Sequence, residues 1–139
     1  MTLQELLCDI TIHYNSFVRS AASQLNVTAS QAFLLISIPH DGVPMSKLAH
    51  KLGLDASTLT RNIQKLETIG FVERKPSAYD RRVQRAFLTK DGVKLTSKIE
   101  DLLLQMNALV VEQIDLDCQA NMCDVLEKLL WSMDCVREK

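Results

Sequence analysis

The chain has 139 residues, of which 47% are hydrophobic and 24% are charged. This length and composition suit a single folded domain with a hydrophobic core and argue against disorder. The longest apolar run, Ala32–Ile36, is far shorter than the roughly 20 residues of a membrane-spanning helix. The N-terminus is acidic and no long apolar segment follows it, so we expect no secretory signal, a cytoplasmic location and reduced cysteines.

The net charge of −1 conceals an uneven distribution of charge along the chain. Residues 45–90 contain ten basic and four acidic side chains, a net charge of +6. The rest of the chain contains six basic and thirteen acidic side chains. A basic segment within an acidic protein is typical of a surface that faces phosphates, although a solvated face with a chance cluster of charges is the alternative.

Two helices are predicted before the basic segment. Apolar residues at helical spacing form one stripe from Leu3 to Ala21. The second helix begins at Thr28, because Thr28 and Gln31 have the types and spacing of a capping box. It is expected to end near Pro39–Gly42, where proline and glycine interrupt the pattern.

Two further helices are predicted within the basic segment. The third is short, places Leu48, Ala49 and Leu52 inward and ends at Gly53. Met45 stands where a polar N-cap is expected, which leaves Ser46 as the nearest substitute. Asp55 is a suitable N-cap for the fourth helix, which buries Leu59, Ile63 and Leu66 and ends at Gly70.

After Gly70 the spacing of apolar residues is no longer that of a helix. Two short strands are predicted there, over 71–75 and 83–88, joined by a polar turn. Thr89 is a good N-cap for a long fifth helix with an apolar stripe at Leu95, Ile99, Leu102, Met106 and Leu109. The last helix has its own stripe at spacings of four and three, formed by Met122, Leu126, Leu129, Met133 and Val136. Such stripes at both ends of the chain favour a two-fold symmetric homodimer.

The outward face of the fourth helix has the side chains that a DNA-reading helix needs. Opposite Leu59 lie serine, threonine, glutamine and basic residues, which can bond base edges in the major groove or phosphates. An ordinary amphipathic helix is the alternative for this face taken alone. At the strand turn, Arg82 can enter a narrow minor groove and Asp80 can hold it extended by a charge-assisted bond, although a surface ion pair without a ligand gives the same pattern.

In order and spacing, this pattern resembles the MarR family of dimeric winged helix-turn-helix transcriptional regulators. The matching stretches are Val27–Gln31, Leu48-Ala49, Leu54, Ser57–Arg61, Leu66-Glu67, Gly70–Arg74, Asp80–Arg82 and Leu88–Gly92. The resemblance implies a mainly α fold with a small β-wing, in which residues 27–90 form the winged helix-turn-helix. Residues 1–26 and 91–139 would then be dimerisation helices within one domain, 1–139.

The predicted function is sequence-specific binding of duplex DNA at an inverted repeat by a homodimer that acts as a repressor. The helix over Ser57–Lys65 would enter the major groove and Arg82 the minor groove. The candidate DNA-binding residues are Ser46, Ser57, Thr58, Thr60, Arg61, Gln64, Lys65, Arg74, Lys75, Asp80, Arg81 and Arg82.

Regulation is the less specified part of the prediction. The resemblance implies release from DNA by a small aromatic or phenolic effector, in a crevice that His13, Tyr14, Arg19 and His40 could line. A thiol-based redox sensor is the alternative, with Cys8 as its reactive residue. The acidic neighbours Glu5 and Asp9 disfavour the thiolate of Cys8, so we prefer the effector.

Other classes of function have little support in the sequence. It contains no glycine-rich phosphate loop, nucleophile elbow or zinc-protease motif, so we expect neither an enzyme nor a cofactor. Cys118 and Cys123 lack metal-ligand spacing, so we expect no metal, and with Cys135 they are interpreted as packing residues. A winged-helix adaptor that binds protein instead of DNA is the remaining alternative.

Overall fold

A computed structural model describes residues 1–139. It contains six helices and three short strands, in the order α1 (Leu3–Gln24), α2 (Ala29–Ile36), β1 (Val43–Pro44), α3 (Met45–Leu52), α4 (Ala56–Ile69), β2 (Val72–Pro76), β3 (Gln84–Leu88), α5 (Lys90–Val111) and α6 (Leu116–Arg137). The predicted fold class, mainly α with a small β-wing, is confirmed. None of the helices has the length and apolar character needed to cross a membrane.

The chain folds as two compact units, Met1–Leu103 and Leu104–Lys139, and the boundary between them falls within α5. The first unit contains the helix-turn-helix and the wing, and the second contains the end of α5 and all of α6. The single-domain scheme with dimerisation helices at 1–26 and 91–139 stays a prediction.

Each of three predicted N-caps makes the expected hydrogen bond. Thr28 Oγ1 accepts from the Gln31 N–H at 3.1 Å, and Gln31 Oε1 accepts from the Thr28 N–H at 3.0 Å, which completes the capping box of α2. Asp55 Oδ1 accepts from the Thr58 N–H at 2.8 Å. Thr89 Oγ1 accepts from the N–H of Gly92 at 3.1 Å in the first turn of α5. Local chemistry therefore sets the starts of these three helices.

The junction between α4, β2 and α5 explains why residue 92 is a glycine. Gly70 closes α4 in the left-handed conformation, with a φ of 94°, and its carbonyl accepts from the Thr89 hydroxyl at 2.6 Å. The Phe71 carbonyl accepts from the Thr89 N–H at 3.1 Å. A Cβ at Gly92 would collide with this same Phe71 carbonyl oxygen, so α5 can lie this close to the backbone of Phe71 only if residue 92 is glycine.

The core of the first unit forms around α4. Leu59, Ile63 and Leu66 have 0% exposure, as the sequence pattern predicts. They belong to one cluster with buried side chains from α1, α2, α3 and α5, of which the largest are Val18, Leu34, Leu35, Leu48 and Ile99. Full burial of each such side chain is worth about 1.5–3 kcal/mol, so this cluster fixes the rotation of α4 about its axis.

The sheet has three strands where two are predicted from sequence. Its order is β1-β3-β2 and both pairings are antiparallel, with Val43 opposite Ala86 and Val72 opposite Leu88. The missed strand, β1, has only two residues, too few for any alternation of apolar and polar side chains to appear. The two wing strands begin at Val72 and Gln84, one residue later than predicted.

Two helix boundaries also differ from the predictions. Helix α2 ends at Ile36, before the predicted stop near Pro39, because a residue that precedes proline disfavours the helical conformation. Ser46 does not cap α3: the N-cap position is Pro44, which makes no side-chain cap bond. Because β1 continues through Pro44, the helix begins at Met45 and Ser46 already lies in its first turn.

The predicted apolar stripe of α5 is only partly correct. Leu95 and Ile99 are buried and Leu102 is half-buried against the core, but Leu103, which lies outside the predicted stripe, is also buried, and Leu109 is 64% exposed. Three consecutive leucines, at 102–104, make the helical phase ambiguous from sequence at this point.

The second unit has little core of its own. The turn between α5 and α6 is fixed by Gln119, whose Nε2 donates to the Val111 carbonyl at 2.9 Å. No residue of α6 is buried in the single chain. Cys118 and Cys123 are exposed and Cys135 is half-buried, so the prediction that the first two pack as small hydrophobes is wrong for the single chain.

The cap of α4 should make stability depend on pH. The Thr58 backbone N–H and then the Thr58 hydroxyl bond the Asp55 carboxylate and hold the pKa of Asp55 below its ordinary value. A carboxyl whose folded-state pKa is lowered stabilises the fold above its unfolded pKa, and this contribution is lost as pH falls through the folded-state pKa. Asp55→Asn keeps a capping side chain that does not titrate, so it should lose less stability than wild type between about pH 5 and pH 2.

Urea unfolding followed by circular dichroism across this pH range measures the difference. Asp101→Asn, on the exposed face of α5, is the matched control, since its side chain caps no helix. This control should keep the acid response of the wild type. The same acid response in Asp55→Asn and wild type would contradict the prediction.

Candidate nucleic-acid interface

The outward face of α4 is polar and accessible. Leu59, Ile63 and Leu66 hold one side of the helix in the core, so the other side must face solvent. The candidate residues on that side are Ser57, Arg61, Gln64 and Lys65, all exposed, with Thr58 and Thr60 half-buried at its flanks. The structure therefore brings these six candidates together on one helix.

A chain of polar contacts runs from the N-cap of α4 to Arg61. The Thr58 hydroxyl donates to Asp55 Oδ2 at 3.1 Å, and Arg61 Nη2 donates to Thr58 Oγ1 at 3.5 Å. One guanidinium nitrogen is thereby directed along the helix. Because a guanidinium has five N–H donors in a planar fork, the others can still bond a base edge.

The turn of the wing holds Arg82 in the predicted way. Arg82 Nε and Nη2 donate to the two Asp80 carboxylate oxygens, at 3.2 and 3.3 Å, and the Arg82 backbone N–H donates to Asp80 Oδ1 at 3.0 Å. The side chain of Arg82 is nevertheless 92% exposed. These bonds, first those from the Arg82 side chain and then that from its backbone, hold the pKa of Asp80 below its ordinary value. Arg81, next to Arg82, is also exposed.

Some cations of the basic segment bond within the fold. Arg74 Nε pairs with Glu67 Oε1 at 2.8 Å, and this pair ties β2 to α4 with both side chains less than one-third exposed. Arg85 Nη2 donates to the carbonyls of Asp41 and Gly42, at 3.3 and 3.0 Å, and so ties β3 to the loop before β1. The predicted DNA contact of Arg74 stays a prediction, and its geometry favours a structural role.

Two other candidates lie at the surface near these elements. Lys75 is exposed on β2, where its Nζ pairs with Glu73 at 3.0 Å and lies 5.6 Å from the centre of the Phe87 ring. Ser46 is exposed in the first turn of α3. Both side chains are accessible to a ligand, whereas the Arg74 side chain is mostly covered.

The four candidates for an effector crevice lie on α1 and in the loop after α2, and their role in binding an effector stays a prediction. His13, Tyr14 and Arg19 are exposed on α1, and His40 is exposed in the loop after α2. At about 100° per residue, the three α1 positions point to three different sides of the helix. Tyr14 instead contacts Phe17 of its own helix, with the ring centres 6.5 Å apart.

Sequence reasoning missed a cavity of about 350 Å³ in the first unit. Its walls come from α2, α3, α4 and the α3–α4 turn: Ser30, Phe33, Leu34, Lys51, Leu52, Leu54 and Asn62. Because the cavity depends on how three helices pack, no single stretch of sequence carries a signal for it.

No group of three or more histidine, cysteine or acidic side chains gathers to hold a metal ion, and Cys8 is exposed on α1.

The chain is similar in sequence to a known transcriptional regulator. The chain is 34% identical over 80 residues to the organic hydroperoxide resistance transcriptional regulator of Bacillus subtilis (strain 168), an alignment that covers 57% of this chain and 54% of that protein. The chain thus spans about half the length of this curated relative.

The solved structures match over a longer part of the chain. Wild-type MarR from E. coli, in its apo form, is 26% identical with a TM-score of 0.79, over 94% of this chain and 97% of that one. A mutant E. coli MarR complexed with operator DNA is 25% identical with a TM-score of 0.75, over 92% and 93%. Residues 27–83 match the sequence model of the MarR family. The chain is therefore similar to MarR-family transcriptional regulators in the sequence of residues 27–83 and in fold over most of its length.

Proposed function

We propose that this protein is a DNA-binding transcriptional repressor that reads an inverted repeat as a homodimer and is released by a small aromatic or phenolic effector. The observation that carries DNA binding is the pairing of an exposed polar face on α4 with an extended Arg82 on the wing. The operator-bound structure of the E. coli relative supports this proposal, because its fold matches most of this chain.

The proposed division of labour follows from side-chain chemistry. Arg61 can bond guanine through two parallel N–H groups, and Gln64 can pair with adenine in the major groove. Arg82 is not proposed to distinguish individual bases. A narrow minor groove in A·T-rich DNA instead concentrates negative potential that attracts a guanidinium. Arg61 is thus proposed to read sequence, and Arg82 to read groove shape.

Salt dependence and two substitutions test the DNA-binding proposal. If about 6–8 phosphates are contacted, log K should fall against log salt with a slope near −6 on a duplex selected from random sequence by the wild-type chain. Arg61→Ala should weaken binding by about 1–3 kcal/mol and relax the preference at one position per half-site. Arg82→Ala should weaken binding mainly at sites with A·T-rich flanks.

Fluorescence anisotropy on duplexes with altered flanks separates these two roles. Arg19→Ala removes the same charge from α1, outside the basic segment, and should leave the affinity unchanged. Equal losses in the Arg61 and Arg82 variants on every duplex would reject the division of labour. A flat salt response would reject DNA binding and favour the adaptor alternative.

The homodimer is proposed from apolar surface that the single chain leaves uncovered. On α1, Leu3 and Ile10 are 60% and 54% exposed, and on α6, Leu126 and Met133 are 43% and 41% exposed. Exposed apolar stripes of this kind mark interaction surfaces, and a two-fold dimer would cover both stripes with one partner.

A carboxylate placed in the α6 stripe should break the dimer. Leu126→Asp combined with Met133→Asp should shift the sedimenting mass to that of one chain, 15.7 kDa, and abolish operator binding. Lys128→Asp puts a carboxylate on the opposite, polar side of the same helix and should leave the dimer intact. Retained helical circular dichroism would show that the double variant is folded, and a stable dimer of it would contradict the proposal.

Thiol-based sensing is the second candidate for regulation, and it has one specific observation in its favour. The relative that is 34% identical is named as a regulator of organic hydroperoxide resistance, and Cys8 is exposed on α1. A thiol switch requires a reactive thiolate, which cationic neighbours promote. In sequence, Cys8 instead has Glu5 and Asp9 as its charged neighbours, which supports the effector.

Peroxide separates these two modes of regulation. We expect the operator affinity of wild type and of Cys8→Ser to stay equal after treatment with an organic hydroperoxide. Cys118→Ser, which removes an exposed thiol from α6, is the matched control. If peroxide releases the wild type and the Cys118 variant while the Cys8 variant stays bound, the protein is a redox sensor and the effector proposal is wrong.

A further inference from the structure

The turn of the wing carries an aromatic side chain that packs on nothing. Tyr79 is 99% exposed, the highest value among the exposed large hydrophobic residues of the chain. A packed tyrosine ring removes about 150–250 Å² from water, so this ring gives up a contribution to folding. Neither the reading face of α4 nor the role proposed for Arg82 uses it.

The backbone beneath Tyr79 is held by hydrogen bonds. Ser77 is buried, and its N–H donates to the Val83 carbonyl at 2.7 Å, which closes the turn. The Val83 N–H donates to the Asp80 carbonyl at 3.0 Å, and the Tyr79 N–H donates to Ser77 Oγ at 3.3 Å. Together with the bonds that Arg82 donates to Asp80, these contacts fix the backbone of the turn. Binding therefore has to order the side chain of Tyr79 but not the backbone beneath it.

We propose that Tyr79 is a second DNA-contacting side chain of the wing. Its ring packs on a deoxyribose and its hydroxyl donates to a phosphate oxygen of a strand that borders the groove entered by Arg82. Tyrosine hydroxyls are among the donors that bond DNA phosphates. Three residues of chain span at most about 10 Å, and the minor groove is about 6 Å wide, so position 79 lies within reach of the bordering phosphates when Arg82 is inserted.

This inference rests on the proposed DNA binding and has a signature of its own. A neutral hydroxyl neutralises no phosphate charge and releases no counterion. Loss of Tyr79 should therefore weaken binding by the same factor at every salt concentration, whereas loss of Arg82 should also lower the salt slope by about one. Because sugars and phosphates are common to all sequences, the loss should also be the same on every flanking sequence.

The experiment compares wild type, Tyr79→Phe, Tyr79→Ala and Arg82→Ala on the selected duplex over a series of salt concentrations. Tyr79→Phe removes only the hydroxyl and should weaken binding about 2- to 10-fold. Tyr79→Ala also removes the ring and should weaken binding about 10- to 50-fold, with the slope of the wild type. Ser97→Ala, on α5, removes an exposed hydroxyl outside the basic segment and should bind as wild type does.

The possible outcomes separate this inference from the function on which it rests. If the wild type binds with a steep salt response and Tyr79→Ala binds as tightly, the Tyr79 contact is wrong and DNA binding stands. A changed salt slope in Tyr79→Ala overturns the neutral contact, and wild-type affinity in Tyr79→Phe overturns the phosphate bond. If the wild type binds no duplex, both proposals fail. An unchanged melting temperature of the variants would show that the affinity losses do not come from unfolding.

Discussion

The burial of one side of α4 is the constraint on which the rest of the first unit depends. Leu59, Ile63 and Leu66 are completely excluded from solvent within a core that draws on α1, α2, α3 and α5. Rotating α4 to bury any other face would expose these three side chains and bury Arg61 or Lys65. Burying a cation without a partner costs several kcal/mol, so the apolar stripe determines which polar residues face outward.

The same core determines which charges of the basic segment are available to a ligand. Glu67, on the half-buried flank of α4, pairs with Arg74, and this pair orients β2 and the wing that follows. Arg85 is likewise held by the carbonyls before β1. Basic residues next to the core thus connect elements, and those at the helix face and the turn remain exposed. A net charge counted along the sequence therefore overstates the charge that a phosphate would meet.

The features that sequence predicts well here are the local ones. Thr28, Asp55 and Thr89 each act as the predicted caps because an N-cap bond joins residues only three apart. The contact between Asp80 and Arg82 joins residues only two apart, so it could also be predicted from the sequence. The partners of Arg74 and Arg85 lie 7 and up to 44 residues away, so they depend on the packed fold and were not predicted. The burial of Leu103 also needed the structure, because several helical phases fit a run of leucines.

The apolar surface left on α1 and α6 bears on how DNA affinity could be regulated. A dimer on an inverted repeat makes two sets of half-site contacts, and the second set adds its full energy only if the dimer presents both reading helices at the spacing of the operator. A change of about 1.4 kcal/mol in the balance between matched and mismatched spacings alters affinity tenfold. An effector with a modest preference for the mismatched arrangement is therefore enough, and it need not touch α4, the wing or DNA. Under the proposed function, the residues that sense a signal therefore need not lie beside those that would read the operator. The charge pattern of residues 45–90 carries no information about that signal.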